Sequence, residues 1–140
     1  MKLAVLGHKG SIGSRRFKLL EEMGHKVMGF EKDDSISPTK LKEFDAVFVC
    51  TPTLMHSQQV IDCIKANAPF FCEKPLTSDV RTANYLASLL LTKELVNMVA
   101  CNLRFTDEYR YIQEGLLNIG KPLYTHCEFG YYLPYWRPGD

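Results

Sequence analysis

A glycine-rich turn near the N-terminus constrains the fold of this chain more than any other feature. Gly7, Gly10 and Gly13 follow the apolar run 2–6 with the spacing G-x-x-G-x-x-G, one residue longer than the common G-x-G-x-x-G. A turn of this kind between a strand and a helix lets backbone N–H groups approach a phosphate closely. Taken alone, the pattern also fits a structural strand-to-helix turn that binds nothing.

Short β-rich runs alternate with amphipathic segments along the chain, which predicts an α/β fold with a doubly wound parallel sheet and helices on both faces. The predicted strands are 2–6, 26–30, 46–50, 70–72 and 95–101, and the predicted helices are 11–23, a brief one opening at Ser37–Pro38, 56–67, 79–91 and 106–117. The segment 123–132 alternates enough to predict a strand of a different kind.

Length and charge narrow the classes of partner. At 140 residues the chain suits one domain with a single good core. Its 17 basic and 16 acidic residues give a net charge of +1, which excludes the electrostatic footprint of a protein that binds nucleic acid or anionic membrane. The start of the chain runs into the glycine turn rather than a cleavage site, so we expect a cytoplasmic protein.

The cysteines point to neither metal nor disulfide chemistry. They are five, an odd number, and no pair has C-x-x-C spacing: Cys50, Cys63, Cys72, Cys101 and Cys127. Most lie in or beside apolar runs. We expect reduced core residues and no metal site.

An acidic residue stands where a dinucleotide site needs one. Glu31 ends the second predicted strand, 24 residues after Gly7 and close to the offset of about 20 at which a carboxylate meets ribose hydroxyls. A carboxylate there repels a 2′-phosphate, which favours NAD over NADP. The alternative is a solvated acid in a charged loop, and the neighbouring Lys32 keeps some tolerance for NADP.

Two further loops follow predicted strands at the edge where open α/β sheets bind ligands. After the run 46–50, Pro52 stiffens the loop while the hydroxyls of Thr51 and Thr53 can reach ribose or pyrophosphate oxygens. His56 opens the next helix as a candidate cofactor contact or, on the other reading, as a capping or surface residue. Glu73 and Lys74 follow the run 68–72, and the lysine is a candidate proton donor beside a nicotinamide.

These motifs together resemble the Gfo/Idh/MocA oxidoreductases, the glucose–fructose oxidoreductase and inositol dehydrogenase family. The resemblance rests on the glycine turn, Thr-Pro-x-x-x-His at 51–56 and Glu-Lys-Pro at 73–75, and it continues through 102–105, 119–123 and 132–139. It covers the whole chain in order. The combination is far more specific than any single piece.

The resemblance implies a Rossmann-type domain, residues 1–122, in a two-domain NAD(P)-dependent enzyme acting on a hydroxyl or keto carbon of a sugar, sugar nucleotide or cyclitol. It implies that Lys74 contacts nicotinamide ribose and substrate oxygen, as the catalytic group, and that Glu73 shapes the same turn. The remaining candidate cofactor contacts are Gly7, Gly10, Ser11, Ile12 and Gly13 in the glycine turn, Thr51, Pro52, Thr53 and His56, and Asn102. A plain surface lysine in a β-to-α turn is the alternative for Lys74.

Two departures from the family pattern matter. Only residues 31–45 separate the second and third predicted strands, so the sheet should lack one edge strand and the adenine pocket should be thinner. The chain also stops at Asp140, where residues 123–140 would begin a truncated α+β substrate domain, before the family's catalytic Asp and His. The enzyme reading therefore stays open beside a non-catalytic dinucleotide-binding module or an inactive remnant.

The final segment suggests self-association. A strand at 123–132 without its own sheet would be a template for pairing, so we expect it to pair with another copy of the chain or to fold back on its own domain. His126 on this strand is expected to face solvent. The aromatic run 131–136 lies near the substrate-domain boundary in relatives with a similar stretch.

Overall fold

The computed structural model describes residues 1–31, 34, 36–128 and 130. The chain divides into two compact units, Met1–Cys101 and a second that starts at Asn102. The first unit contains the sheet and is where the predicted strands fall. The domain boundary at residue 122 stays a prediction.

The first unit is built on a five-stranded parallel sheet in the order β2-β1-β3-β4-β5. Its strands are β1 (Lys2–Leu6), β2 (Lys26–Phe30), β3 (Ala46–Val49), β4 (Phe70–Cys72) and β5 (Asn97–Val99), and its helices are α1 (Ser11–Glu22), α2 (Pro38–Leu41), α3 (Thr53–Ala66) and α4 (Val80–Leu91). The predicted doubly wound α/β fold is confirmed.

Alternate side chains of the central strands enter two separate cores. Leu3 and Val5 of β1 pack with Leu20 of α1 on one face of the sheet. Ala4 and Leu6 point to the other face, where the larger core collects buried residues from β3, β4 and helices α2 to α4. Because both faces are covered, these strands are apolar along their whole length, as parallel strands generally are.

Strand β2 lies at the edge of the sheet, as the short link between β2 and β3 predicted. In place of a further strand, this link carries the single-turn helix α2. Ser37 caps it, accepting a hydrogen bond from the Lys40 N–H at 3.3 Å. Leu41 is fully buried, and Phe44 meets Phe30 edge to face with ring centroids 5.8 Å apart. The link therefore closes the larger core beside the edge strand.

Several predicted bounds need correction. Helix α3 was predicted to begin at His56, but it begins one turn earlier, because Pro52 takes the N-cap position with extended backbone. Helix α4 begins at Val80 after its cap Asp79, whose carboxylate accepts the Thr82 N–H at 2.8 Å. The fifth strand is shorter than the predicted 95–101, and pairs with β4 only over Asn97–Val99.

The second unit contains a 3₁₀ helix, Asn102–Phe105, and α5 (Asp107–Leu116), capped by Thr106. Residues 121–128 and 130 form no strand, so the predicted strand 123–132 is wrong over those positions. An isolated strand has no ladder to satisfy its backbone groups, which accounts for the absence of a strand at these positions. Its pairing with another copy stays a prediction, and the aromatic run 131–136 lies outside the described residues.

Core packing around α4 gives a stability prediction. Leu86 is 0% exposed, whereas Leu91 on the same helix is 86% exposed. The Leu86→Ala variant should lose about 2–5 kcal/mol of the free energy of unfolding, because truncation leaves a cavity in the larger core. Leu91→Ala should change it by less than about 0.5 kcal/mol. Urea unfolding followed by circular dichroism measures both, and similar losses in the two variants would contradict this packing.

Candidate dinucleotide-binding site

The candidate site lies along the carboxyl edge of the sheet. From β1 the chain connects to β2 on one side, and β3 lies on the other, so the strand order reverses at β1. In open α/β sheets the loops part at such a reversal and leave a crevice for a ligand. Apart from Asn102, the predicted site residues lie in the segments that follow β1, β2, β3 or β4 at this edge.

The glycine turn packs tightly against the end of β3. Gly7 has φ +78°, and a Cβ there would lie 2.9 Å from the Cys50 carbonyl oxygen. Its N–H donates to the Phe30 oxygen at 2.6 Å. A Cβ on Gly13 would lie 2.0 Å from the Gly7 oxygen, so α1 can approach the turn only because residue 13 is glycine. These two glycines are required by close backbone contacts rather than by flexibility.

Helix α1 begins directly at the turn and leaves donors for an anion. Gly10 is its N-cap residue and has no side chain to cap the first turn. The N–H groups of Ser11, Ile12 and Gly13 belong to this first turn, which has no acidic residue, and Ser11 and Ile12 are exposed. An uncapped helix N-terminus on a glycine turn fits the pyrophosphate of a dinucleotide in both charge and shape.

A cavity of about 350 Å³ opens between the end of β1, the segment after β2, α2 and α3. Apolar side chains form part of its lining, and three carboxylates give it negative charge. Its lining residues are Leu6, Glu31, Asp34, Ile36, Ser37, Leu41, Met55, Gln59 and Asp62. Four apolar and five polar side chains line it, so it offers packing for a planar base and hydrogen bonds for a ribose. The shortened sheet therefore keeps a pocket at this end.

Glu31 is anchored to the glycine turn. Its Oε1 accepts the Lys9 N–H at 2.9 Å, and its own N–H donates to Asp34 Oδ2 at 2.7 Å. Within the described residues no hydrogen bond to Oε2 is found, and the side chain lines the cavity. One carboxylate oxygen thus holds the turn while the other is available to ribose hydroxyls.

His8, which the sequence reasoning passed over, lies against the same carboxylate. Its Nδ1 is 2.9 Å from Glu31 Oε1 but outside hydrogen-bond geometry, so this buried nitrogen has no hydrogen-bond partner among the described residues. The ring packs on Phe17 with centroids 5.6 Å apart. A Cβ on Gly29 would lie 2.3 Å from His8 Cγ. Glycine inside a strand marks a close approach, and that signal could have revealed the histidine.

The loop after β3 is held by polar contacts of buried groups. The buried Thr51 hydroxyl donates to Gln59 Oε1 at 2.5 Å, which engages the group that was predicted to reach the cofactor. Thr53 is half-buried in the first turn of α3, and Pro52 is exposed. The cofactor contacts of these three residues stay predictions.

His56 is 1% exposed and bridges two loops. Its Nε2 lies 2.8 Å from the Thr51 carbonyl oxygen, and its Nδ1 lies 2.8 Å from the Pro75 carbonyl oxygen. Carbonyl oxygens only accept, so at least one contact is an N–H···O hydrogen bond. The surface reading of His56 is wrong, because the ring is buried between backbone groups of the two loops.

The loop after β4 is tied to α1. Glu73 Oε1 accepts hydrogen bonds from Arg16 Nε at 3.1 Å and Arg16 Nη2 at 2.9 Å. The guanidinium also lies over the Phe71 ring, 5.0 Å from its centroid. Lys74 is exposed beside this anchored pair, at the same sheet edge as the glycine turn. Arg16 was missed because its partner lies 57 residues away in sequence.

Asn102 opens the 3₁₀ helix of the second unit and is exposed. Its assignment to the cofactor stays a prediction. His126 is also exposed, in agreement with the expected solvent-facing orientation.

All five cysteines are free thiols, but they do not share one environment. Burial, mainly, raises the pKa of Cys50, Cys63 and Cys72 to about 12, which keeps them protonated. Cys101 and Cys127 are exposed, so the expectation of core cysteines is wrong for these two. Among the described residues, no cluster of three or more His, Cys, Asp or Glu side chains could hold a metal ion.

The fold and the edge site define a dinucleotide-binding Rossmann-type unit, and the comparison with protein families agrees. The family model described as an oxidoreductase family with an NAD-binding Rossmann fold matches residues 2–101. The chain therefore belongs to the Gfo/Idh/MocA oxidoreductase family, as its motifs predicted. NAD, the predicted cofactor, is the one that the fold of this family binds.

Two relatives illustrate the similarity. Inositol 2-dehydrogenase from Rhodococcus erythropolis is 34% identical over 98 residues, and myo-inositol 2-dehydrogenase from Thermotoga maritima is 34% identical over 117 residues. These matches cover 67% and 80% of the chain but 28% and 34% of the two relatives. The chain thus spans about a third of their length.

A solved structure supports the fold. The WlbA (WbpB) dehydrogenase from Thermus thermophilus, determined in complex with NAD and UDP-GlcNAcA, matches with a TM-score of 0.69 at 17% identity. The match covers 84% of this chain and 47% of that chain. In the described part of the chain, no helix is both long and apolar enough to cross a membrane.

The tight contact at Gly13 predicts a loss of binding on a minimal substitution. Gly13→Ala should weaken NADH binding about tenfold or more, because the new methyl meets backbone that cannot move aside. Gly115→Ala makes the same change in α5, where nothing lies within 4 Å of the added Cβ, and serves as the control. Fluorescence titration measures affinity and thermal unfolding checks folding. Equal affinities in the two variants would contradict the contact.

The thiol environments predict a division in reactivity. At pH 8 a thiol-specific reagent should label Cys101 and Cys127 rapidly, while Cys50, Cys63 and Cys72 should react only after unfolding, because the thiolate is the reactive form. Peptide mass spectrometry identifies the labelled sites, with a denatured sample as the reference. Rapid labelling of any of the three buried thiols in the native protein would contradict their burial.

Proposed function

We propose that this chain binds NAD along the carboxyl edge of its sheet and provides the nucleotide-binding part of a dehydrogenase. The observation that carries the proposal is the order of side chains along the edge. Glu31 follows β2, the glycine turn follows β1, Thr51 follows β3 and Lys74 follows β4. Adjacent strands lie about 4.8 Å apart, so this row extends roughly 14 Å, the scale of an extended dinucleotide.

The β2 end of the row suits the adenosine half. The cavity offers Leu6 and Met55 as apolar contacts for a base, and the outer oxygen of Glu31 for ribose hydroxyls. With Asp34 and Asp62 also in the lining, a 2′-phosphate would meet three carboxylates. This charge favours NAD over NADP.

The β4 end suits the reacting half. The cofactor supplies hydride transfer when it is bound. Lys74 is a compact ammonium at the edge, and it would hold a substrate oxygen and stabilise the charge that develops there. Arg16 fixes Glu73 with two hydrogen bonds, so the backbone that carries Lys74 is anchored on a helix. His56 fixes the following carbonyl, that of Pro75.

The substrate class belongs to the same proposal. The similar curated proteins are named as inositol dehydrogenases, which favours a hydroxyl or keto carbon of a cyclitol or sugar. The chain spans about a third of their length, and Lys74 is the acid–base group that its motifs offer to this proposal. A non-catalytic dinucleotide-binding module is the second candidate. Cytoplasmic location and self-association through residues 123–132 complete the proposal.

The order of contacts can be tested with ligands of different length. ADP should occupy only the β2 and β1 part of the edge, whereas NADH should extend to β4. Glu31→Gln should therefore weaken both ligands about tenfold, since it weakens the charged hydrogen bonds to the ribose. Lys74→Met should weaken NADH about two- to fivefold and leave ADP unchanged. Fluorescence titration and calorimetry measure the affinities.

Glu94→Gln is the matched control, because Glu94 is exposed and outside the cavity lining. Failure of the unmodified chain to bind NADH would refute the proposal. If Lys74→Met weakened ADP and NADH equally, the ligand would not lie in the proposed direction. Polyols are then added together with NAD, and the absorbance of NADH is followed. A change in NADH absorbance indicates an enzyme, and no change indicates a binding module.

A further inference from the structure

We propose that His8 is a specificity-determining residue that adjusts how strongly the site discriminates against a 2′-phosphate. The proposal rests on the proposed NAD site and concerns the acidic residue at its adenosine end. Three features of the site support this role: the position of the His8 ring, the sharing of the Glu31 carboxylate, and the space that Gly29 provides.

The ring is held in one place by packing. It lies against Phe17 of α1, and it fits over β2 only because residue 29 has no Cβ. Its Nδ1 is buried without a hydrogen-bond partner among the described residues, and 2.9 Å separates it from Glu31 Oε1. A buried nitrogen in this position interacts with the carboxylate mainly through charge, whatever the angle between them.

Among the residues that the structure describes, charged groups near the ring are recorded in two segments. The segment after β2 contributes Glu31, with Asp34 beside it, and the turn itself contributes Lys9, whose N–H bonds the same carboxylate oxygen. The ring contacts recorded on α1 and β2 are those of the uncharged Phe17 and Gly29. Within the described part of the chain, Glu31 is the carboxylate recorded within ion-pair distance of His8.

The functional consequence follows from the charge on the imidazole. A neutral ring leaves Glu31 with its full negative charge toward the cavity, which repels a 2′-phosphate. A protonated ring offsets part of that charge, so NADPH should be tolerated better. Imidazole is the side chain that changes charge between pH 5 and 8. The preference for NADH over NADPH should thus fall as the solution becomes more acidic.

The test compares Kd values for NADH and NADPH between pH 5.5 and 8.5 by fluorescence. In the unmodified chain the ratio of the NADPH Kd to the NADH Kd should rise from pH 5.5 to pH 8.5. This rise should be about two- to fivefold larger than in His8→Phe, because phenylalanine keeps a ring but cannot be protonated. The 2′-phosphate itself titrates near pH 6, and comparison at matched pH removes this contribution because both proteins bind the same ligands.

Two further variants separate charge from packing. Gly29→Ala should displace the ring and flatten the pH dependence, and Glu31→Gln should flatten it by removing the charge on which the ring acts. Circular dichroism confirms that each variant is folded. Equal pH dependence in the unmodified chain and in His8→Phe would overturn this inference while leaving NAD binding intact. Absence of binding by both dinucleotides at every pH would overturn it together with the proposed function.

Discussion

The backbone contact between the glycine turn and the end of β3 is the constraint on which the site depends. Gly7 lies so close to the Cys50 carbonyl that a single added carbon would collide with it, and Gly13 lies closer still to the Gly7 carbonyl. These contacts bring the first turn of α1 to the sheet edge, with its N–H groups directed where an anion would be held. Any side chain at either position would move the helix away and remove that geometry.

A second set of interactions joins the loops to one another. His56 links the loop after β3 to the loop after β4, and Arg16 links α1 to Glu73. Residues of the Thr-Pro-x-x-x-His and Glu-Lys-Pro motifs therefore have supporting contacts within the protein. A site held to small tolerances needs such supports, because a loop carrying a reactive group is otherwise free to move. Lys74 is exposed, whereas His56 is buried and Glu73 is half-buried.

The sequence predicts this architecture well because continuous apolar runs indicate buried parallel strands. In addition, Gly24 marks the end of α1 and Ser37 marks the start of α2. It predicts less about side-chain roles. Glu31 was placed correctly at the end of β2, but its bond to the Lys9 N–H requires the fold. The Arg16–Glu73 pair could not be inferred, since pairs distant in sequence are set by the packing of α1 on the sheet. The strand predicted at 123–132 failed over 123–128 because alternation alone provides no partner for its backbone.

The short link between β2 and β3 has a further physical consequence. In this link α2 packs against α3, and its Leu41 belongs at once to the core and to the cavity lining. The same link supplies Ser37 and Asp34 to the cavity. The link therefore forms one part of the pocket wall, a single helical turn held by one buried leucine and one serine cap. In the proposed NAD site, the charge that selects the cofactor is then set by Glu31 and its immediate neighbours, which makes the contact between Glu31 and His8 more influential than it would be in a deeper pocket.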